Sequence, residues 1–361
     1  MNDGTWTNDL AQGKRRIVMY SVFRPLLFKM DPERAHSRIL GLVGMVGGLA
    51  PLRELLRRIY LPASSRPVEI AGLVFPNPVG LAAGYDKDCT AWRGLSCLGF
   101  GHLELGTVTP RPQAGNPRPR IFRYPGRQAI INRMGFPGRG AEFAKDRIPP
   151  RGSSPVRDRI VLGVNIGKNK DTSNERAVED YLACLRSFLD RADYLAVNVS
   201  SPNTLGLRQL QGKAYLRDLL GTLVAERDQL AADLEQPPPL FVKLSPDLTD
   251  HELDGALEAI LESSADGVIA TNTTIQRGDL MVPDPNQEGG LSGRPLKELS
   301  TSLVRKIADR SAGDLPIIAV GGINSVEDAR EKLDAGASLV QVYSGLIFQG
   351  PGLARELVNH L

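Results

Sequence analysis

Cysteine and histidine are scarce: three cysteines (Cys89, Cys97, Cys184) and four histidines (His36, His102, His251, His360) in 361 residues. Neither set has ligand spacing, so no metal centre is expected, and each histidine taken alone reads as a surface or packing residue. An odd cysteine count argues against a disulfide framework and for a reducing compartment. The chain has no Gly-x-Ser-x-Gly elbow, which disfavours a Ser-His-Asp hydrolase. No stretch reaches the ~18 uninterrupted apolar residues of a spanning helix. Nor is there an apolar run beside a small-residue cleavage site. The expectation is a chain neither exported nor anchored by a transmembrane helix. A basic patch interleaved with aromatics is also missing, so nucleic acid is not an expected partner.

What is present suits a large soluble core: 42% hydrophobic residues, 24% charged residues and 37 glycines. The length exceeds one ordinary domain, although a parallel barrel of ~250 residues counts as one. Net charge is only +3, but residues 1–60 hold ten Lys/Arg against five acids, leaving 34 against 36 elsewhere. The basic excess therefore sits at the N-terminal end.

Eight apolar runs have the length and composition of buried strands: 78–83, 102–109, 160–167, 194–200, 240–245, 267–273, 316–322 and 339–345. Helical patterns separate most of them, at 179–191, 212–234, 250–263, 296–309 and 325–335. That alternation predicts a parallel (β/α)8 TIM barrel. An open doubly wound sheet would need a Gly-rich first turn whose spacing Gly80 to Asp86 does not supply. The connection 110–158 is long enough to carry function, and 283–293 forms a second polar loop that would cover the barrel mouth.

Residues 17–61 stand apart from the barrel (62–361), and the polar tail 1–16 is expected to be disordered. Asp31 followed by Pro32 is a helix start. From there Ala35, Ile39, Leu40, Leu42, Val43 and Val46 make an apolar side with basic flanks. Such a segment either packs on the barrel or lies in a membrane interface. Its composition weighs the two equally.

Function in a parallel barrel gathers at the carboxyl ends of the strands. There the runs release Ala83-Gly84-Tyr85-Asp86-Lys87, Gly106-Thr107, Asn165 to Lys168, Asn198-Val199-Ser200-Ser201-Pro202-Asn203-Thr204, Lys243, Thr271-Asn272-Thr273, Gly321-Gly322 and Tyr343-Ser344-Gly345. One such segment is an ordinary polar turn. Several lysines and asparagines at one end of a barrel outline a ligand site, because burying them without partners costs free energy. The glycines after the seventh run, with Tyr343-Ser344-Gly345 after the eighth, suit a phosphate. A phosphorylated cofactor with a polar face fits, and flavin mononucleotide (FMN) is the candidate, with Asn165 and Lys243 near its ring and ribityl chain.

These segments, together with Asn132-Arg133-Met134-Gly135-Phe136 and Gly289-Gly290-Leu291-Ser292-Gly293, resemble the dihydroorotate dehydrogenases, in particular the quinone-using, membrane-associated class 2 branch. The resemblance runs from about Tyr20 to the C-terminus. It implies oxidation of dihydroorotate to orotate in pyrimidine synthesis, with FMN as cofactor and a membrane quinone as acceptor. It implies Ser201 as the base at C5. Lys87, Asn132, Arg133, Met134, Gly135, Phe136, Asn198, Asn203, Asn272 and Thr273 are implied around the substrate. Ala83, Gly84, Lys87, Thr107, Asn165, Asn198, Lys243, Thr271, Gly293, Gly322, Tyr343 and Ser344 are implied around FMN. His36, Arg123 and Tyr343 would line a quinone tunnel.

Serine at 201, where class 1 relatives carry cysteine, and the N-terminal extension both agree with class 2. The membrane reading of 17–61 is thereby favoured, as a monomer on the cytoplasmic side of the cell membrane. Tyr85 departs from the branch, which more often has a smaller or purely apolar residue there. Two other readings are kept: a class 1-like enzyme using fumarate or NAD, and a non-redox phosphate-binding barrel with Lys87 or Lys243 as a Schiff-base lysine. A third, a membrane-binding scaffold on a dead barrel, conflicts with the polar strand ends.

Overall fold

The computed structural model describes residues 20–154, 156–157, 159–204, 206–232, 234, 236–277 and 286–361. The expected disordered tail, the first three residues of the extension and residues 283–285 of the polar loop lie outside these. Eight parallel strands close into a barrel: β1 (Val79–Leu81), β2 (His102–Val108), β3 (Val161–Ile166), β4 (Tyr194–Asn198), β5 (Leu240–Leu244), β6 (Gly267–Ala270), β7 (Ile317–Val320) and β8 (Leu339–Val342). Closure is made by β8 on β1, with Val340 opposite Val79 and Gln341 opposite Gly80. The (β/α)8 expectation holds, and the five expected helices form within a few residues of the anticipated bounds.

The strands are buried on both faces, which is why they read as nearly continuous apolar runs. Their outward residues, such as Leu103, Leu105, Leu162, Val164, Leu195 and Val242, join the layer under the helices. Their inward residues form a separate core with Tyr194, Ala196, Phe241, Ile269, Ile318 and Leu339. Glu104, Asn165, Asn198, Lys243 and Gln341 share that inward parity, since successive strand side chains alternate faces. The helices Asp250–Glu262 and Val326–Asp334 open with reciprocal capping boxes, Thr249 with Glu252 and Ser325 with Asp328. Each such cap contributes about 1 kcal/mol.

Below the barrel, a hairpin of Val68–Ile70 and Leu73–Phe75 closes the floor. Phe75 packs edge-on against His102 at 5.3 Å between ring centroids. Above it, the two regions read as long loops supply one antiparallel sheet of Ile121–Tyr124, Ala129–Asn132 and Gly290–Gly293. Its first two strands form a short hairpin, but the third comes from a distant part of the chain, so no local periodicity announced the sheet.

The extension is helical: α1 (residues 20–29), α2 (Pro32–Gly48) and α3 (Ala50–Tyr60). Asp31 caps α2 by accepting the Arg34 N–H at 2.9 Å, with Pro32 in the first turn as the sequence predicts. No single helix among the described residues is long and apolar enough to cross a membrane; α2 and α3 would suffice together but meet at 110°.

α2 lies backbone-to-backbone on the short helix Trp92–Leu95. A Cβ on Gly47 would stand 2.4 Å from the Gly94 nitrogen, and one on Gly94 only 2.2 Å from the Val43 carbonyl oxygen. Glu33 anchors the start of α2 by accepting from Arg118 and from buried Arg120 at 2.9 and 2.7 Å. Burial alone would raise the Glu33 pKa, but the hydrogen bonds and charges of the two arginines outweigh it and hold the carboxyl low. The outer faces of α1–α3 leave Val22, Phe23, Leu26, Leu42, Met45, Leu49 and Leu55 exposed.

Candidate active site

One cavity of about 500 Å³ begins at the carboxyl ends of the strands and continues beneath α2. Its inner end is polar and its outer end apolar. The inner end takes Lys87, Asn132, Asn198, Ser201, Asn203, Asn272 and Thr273, and beside them Met134, Gly135 and Phe136. Leu27, Phe28, Ile39, Val43, Val46 and Leu56 line the outer end. His36, Arg123 and Tyr343 all line the same cavity.

Strand β4 ends in Asn198, and the chain after it turns two serines to different surroundings. Ser200 donates to Asn198 Oδ1 at 3.2 Å and accepts from Asn272 Nδ2 at 3.0 Å, and it is fully buried. Ser201 lines the cavity, where its Oγ accepts the Asn203 N–H at 3.3 Å. Asn203 in turn donates to Asn132 Oδ1 at 3.3 Å, across to the mouth sheet. Arg208 ties the loops together, donating to the carbonyls of Ser200 and Thr273 and pairing with Asp247 at 2.8 Å.

Lys87 donates to the Gly84 carbonyl at the cavity wall. Burial, helped by the charge of Arg120, pushes its pKa down to about 8. His36 is pushed down to about 4 by burial and then by Lys87, so it is neutral at pH 7. Its ring meets Tyr85 edge-on at 5.0 Å, and Tyr85 meets Tyr343 at 5.8 Å. The Tyr343 hydroxyl donates to the Gly84 carbonyl at 3.3 Å, and burial raises its pKa to about 12. Arg123 lies 4.6 Å over the Phe28 ring and donates to the Phe28 and Met30 carbonyls, closing the end of α1.

The opposite wall is a cradle of bare backbone. Gly322 has φ +75°, and a Cβ there would be 2.4 Å from Lys297 Cα; at Gly293 (φ +93°) it would be 2.1 Å from the Gln128 carbonyl oxygen. Ser292 and Ser344 hydroxyls meet at 2.9 Å beside it. The first-turn N–H groups of Ser344–Gln349 have no intrahelical partner. Glycine backbone, two hydroxyls and free N–H groups fit a phosphate, and the cavity lining of Ala83, Gly84, Thr107, Lys243 and Thr271 fits a flat ring with polar edges.

Two expected site residues fall outside the lining. Arg133 turns its guanidinium outward, to the Pro119 carbonyl at 3.1 Å and to Glu288 at 3.5 Å. Asn165 lies one layer beneath, bonded to Thr107, Asn198 and Glu104. Sequence reasoning overlooked Glu104, Asn116, Arg208 and Gln341, and it gave Ser200 no role apart from its segment. Glu104 had a readable signal, a carboxylate inside a buried strand. Arg208 had none, being one arginine among many.

The fold and cavity define a (β/α)8 barrel enzyme whose polar site opens into an apolar channel. The chain belongs to the dihydroorotate dehydrogenase family, whose model matches residues 66–361. It is 47% identical to the dihydroorotate dehydrogenase (quinone) of Idiomarina loihiensis, over 95% of this chain and 100% of that protein. With the quinone enzyme of Stutzerimonas stutzeri it shares 50% identity over 94% of this chain and 97% of the other. A crystal structure of the Eimeria tenella enzyme in complex with ferulenol superposes with a TM-score of 0.83 at 41% identity, covering 91% of this chain and 90% of that one.

Proposed function

We infer that this chain oxidises dihydroorotate to orotate with a quinone as electron acceptor, a step of pyrimidine synthesis. The observation that carries the reading is the single cavity joining a polar, lysine- and amide-lined end to an apolar end under α2. The family implies a flavin, and the phosphate cradle favours FMN. When bound, the flavin supplies the acceptor for the C6 hydride and passes the electrons to the quinone.

Lys87 binds the substrate carboxylate, its charge intact at neutral pH. Asn132, Asn198, Asn203 and Asn272 match the donors and acceptors of the cyclic ureide. Ser201 takes the proton from C5. A hydroxyl is a weak base in water, so the enclosure of Ser201, 5% exposed, is part of its function. His36 and Tyr343, at the junction of the two ends, face the quinone head, and Arg123 holds α1 against the channel.

The exposed apolar residues of α1–α3, with Lys29, Arg34, Arg38, Arg53, Arg57 and Arg58 on the same segment, support peripheral attachment to an anionic membrane surface; we take that surface to be the cytoplasmic face of the cell membrane and the attached protein to be a monomer. Purified protein is expected to be yellow, to bleach with dihydroorotate under anaerobic conditions and to regain colour with a quinone. Colourless protein that stays inactive after FMN is added defeats the reading.

A further inference from the structure

The eight barrel strands contain one carboxylate, Glu104, and one lysine, Lys243, and the two pair at 3.1 Å in the barrel interior. Glu104 is fully buried and receives four donors from four strands. They are Asn165 Nδ2 at 2.8 Å, Lys243 Nζ at 3.1 Å, Gln341 Nε2 at 2.9 Å and the Tyr194 hydroxyl at 3.4 Å. Lys243 lines the cavity and Glu104 does not. The pair is thus a dipole with its positive end toward the ligand.

A buried ion pair costs several kcal/mol of desolvation per ion and is weak evidence for stability. Lysine alone would suffice to attract a polar ring edge. The carboxylate behind it does something more specific, because it offsets part of the field that Lys243 projects into the cavity. It also directs the amides. With the Asn165 NH2 drawn to Glu104, the Asn165 oxygen faces the Thr107 hydroxyl and accepts the Asn198 NH2 at 3.1 Å. That leaves Asn198 Oδ1 to hold Ser200 and Asn272.

We propose that Glu104 is a positioning residue that sets the reduction potential of the bound flavin through Lys243 and Asn165. The proposal rests on the flavin reading above. A flavin gathers negative charge on reduction, so an uncompensated Lys243 favours the reduced form. With the carboxylate in place, the potential is held below that value, which leaves more driving force for passing electrons to the quinone.

The test uses the FMN-loaded full chain. Glu104→Gln removes the charge and keeps the shape. Its midpoint potential should rise by about tenfold in the reduction equilibrium, roughly 30 mV for a two-electron couple. Its affinity for sulfite, which leaves the oxidised flavin carrying negative charge, should rise about tenfold as well. Gln341→Leu withdraws one donor from the carboxylate and concentrates its charge on Lys243, so both quantities should move the opposite way. This second variant decides the matter if Glu104→Gln does not retain flavin.

A purely structural Glu104 would lower the melting temperature and leave potential and sulfite affinity where they were. That result, in a flavin-loaded variant, overturns the proposal. Wild-type protein that takes up no flavin would instead overturn the reading beneath it.

Discussion

Ser200 and Ser201 are neighbours in sequence, yet the first hydroxyl is locked between Asn198 and Asn272 while the second lines the cavity. Ser201→Ala is therefore expected to slow anaerobic flavin reduction by dihydroorotate at pH 7 by about 10²-fold or more, with FMN retained. Ser200→Ala loses neutral hydrogen bonds worth about 1 kcal/mol each and should slow the same step by less than about tenfold. Stopped-flow measurement of both variants decides, and equal losses would remove the distinction.

Lys87 is cationic below its pKa of about 8 and neutral above it. Attraction for the product carboxylate is then fully present at lower pH and lost as pH rises. Orotate affinity, read from the flavin spectrum, should fall roughly tenfold between pH 7 and pH 9. Lys87→Met should bind about 10- to 100-fold more weakly at pH 7 and show no such slope. A wild-type affinity that stays level over this range would contradict the assignment.

His102 is fully buried with neither ring nitrogen hydrogen-bonded, and burial pushes its pKa down to about 3. The unfolded chain takes up this proton near the ordinary value of about 6.5, whereas the folded chain does not until about 3. The corresponding stability is present above pH 6.5 and declines as pH falls toward 3, by about 1.4 kcal/mol per unit. His102→Phe should raise the melting temperature more at pH 5 than at pH 8. Calorimetry showing equal gains at both would refute this.

Gly94 carries the contact between barrel and α2. Gly94→Val would drive a side chain into the Val43 carbonyl, a strain of about 1–3 kcal/mol that lifting α2 relieves. Quinone-dependent turnover should fall at least about tenfold, with a higher KM for quinone, while anaerobic flavin reduction by dihydroorotate continues. Loss of both half-reactions would show that the contact supports the barrel itself.

The barrel was legible because burial on both faces leaves unbroken apolar runs, and because Asn198, Lys243 and Gly322 punctuate their carboxyl ends. Ser201, Lys87 and Asn272 were legible as polar groups at such ends. The mouth sheet was not, since Ala129–Asn132 pairs with Gly290–Gly293 across more than half of the barrel. Arg133 lies in a backbone segment whose neighbours line the cavity while its own guanidinium turns outward, an orientation the sequence does not encode. Asn116 stayed hidden because its role is a pair of contacts, to the carbonyls of Arg133 and Asn203, that only the folded chain creates.

The clamp of Glu33 on Arg120 bears on how separable the molecule is. Arg120, 6% exposed, also donates to the Asn116 carbonyl, and Asn116 holds the loop that carries Asn203. A barrel cut free at residue 62 would lose the carboxylate that pairs with this arginine. The extension is thus no detachable module. It is a keystone laid by the first turn of α2, and the substrate loop rests on it.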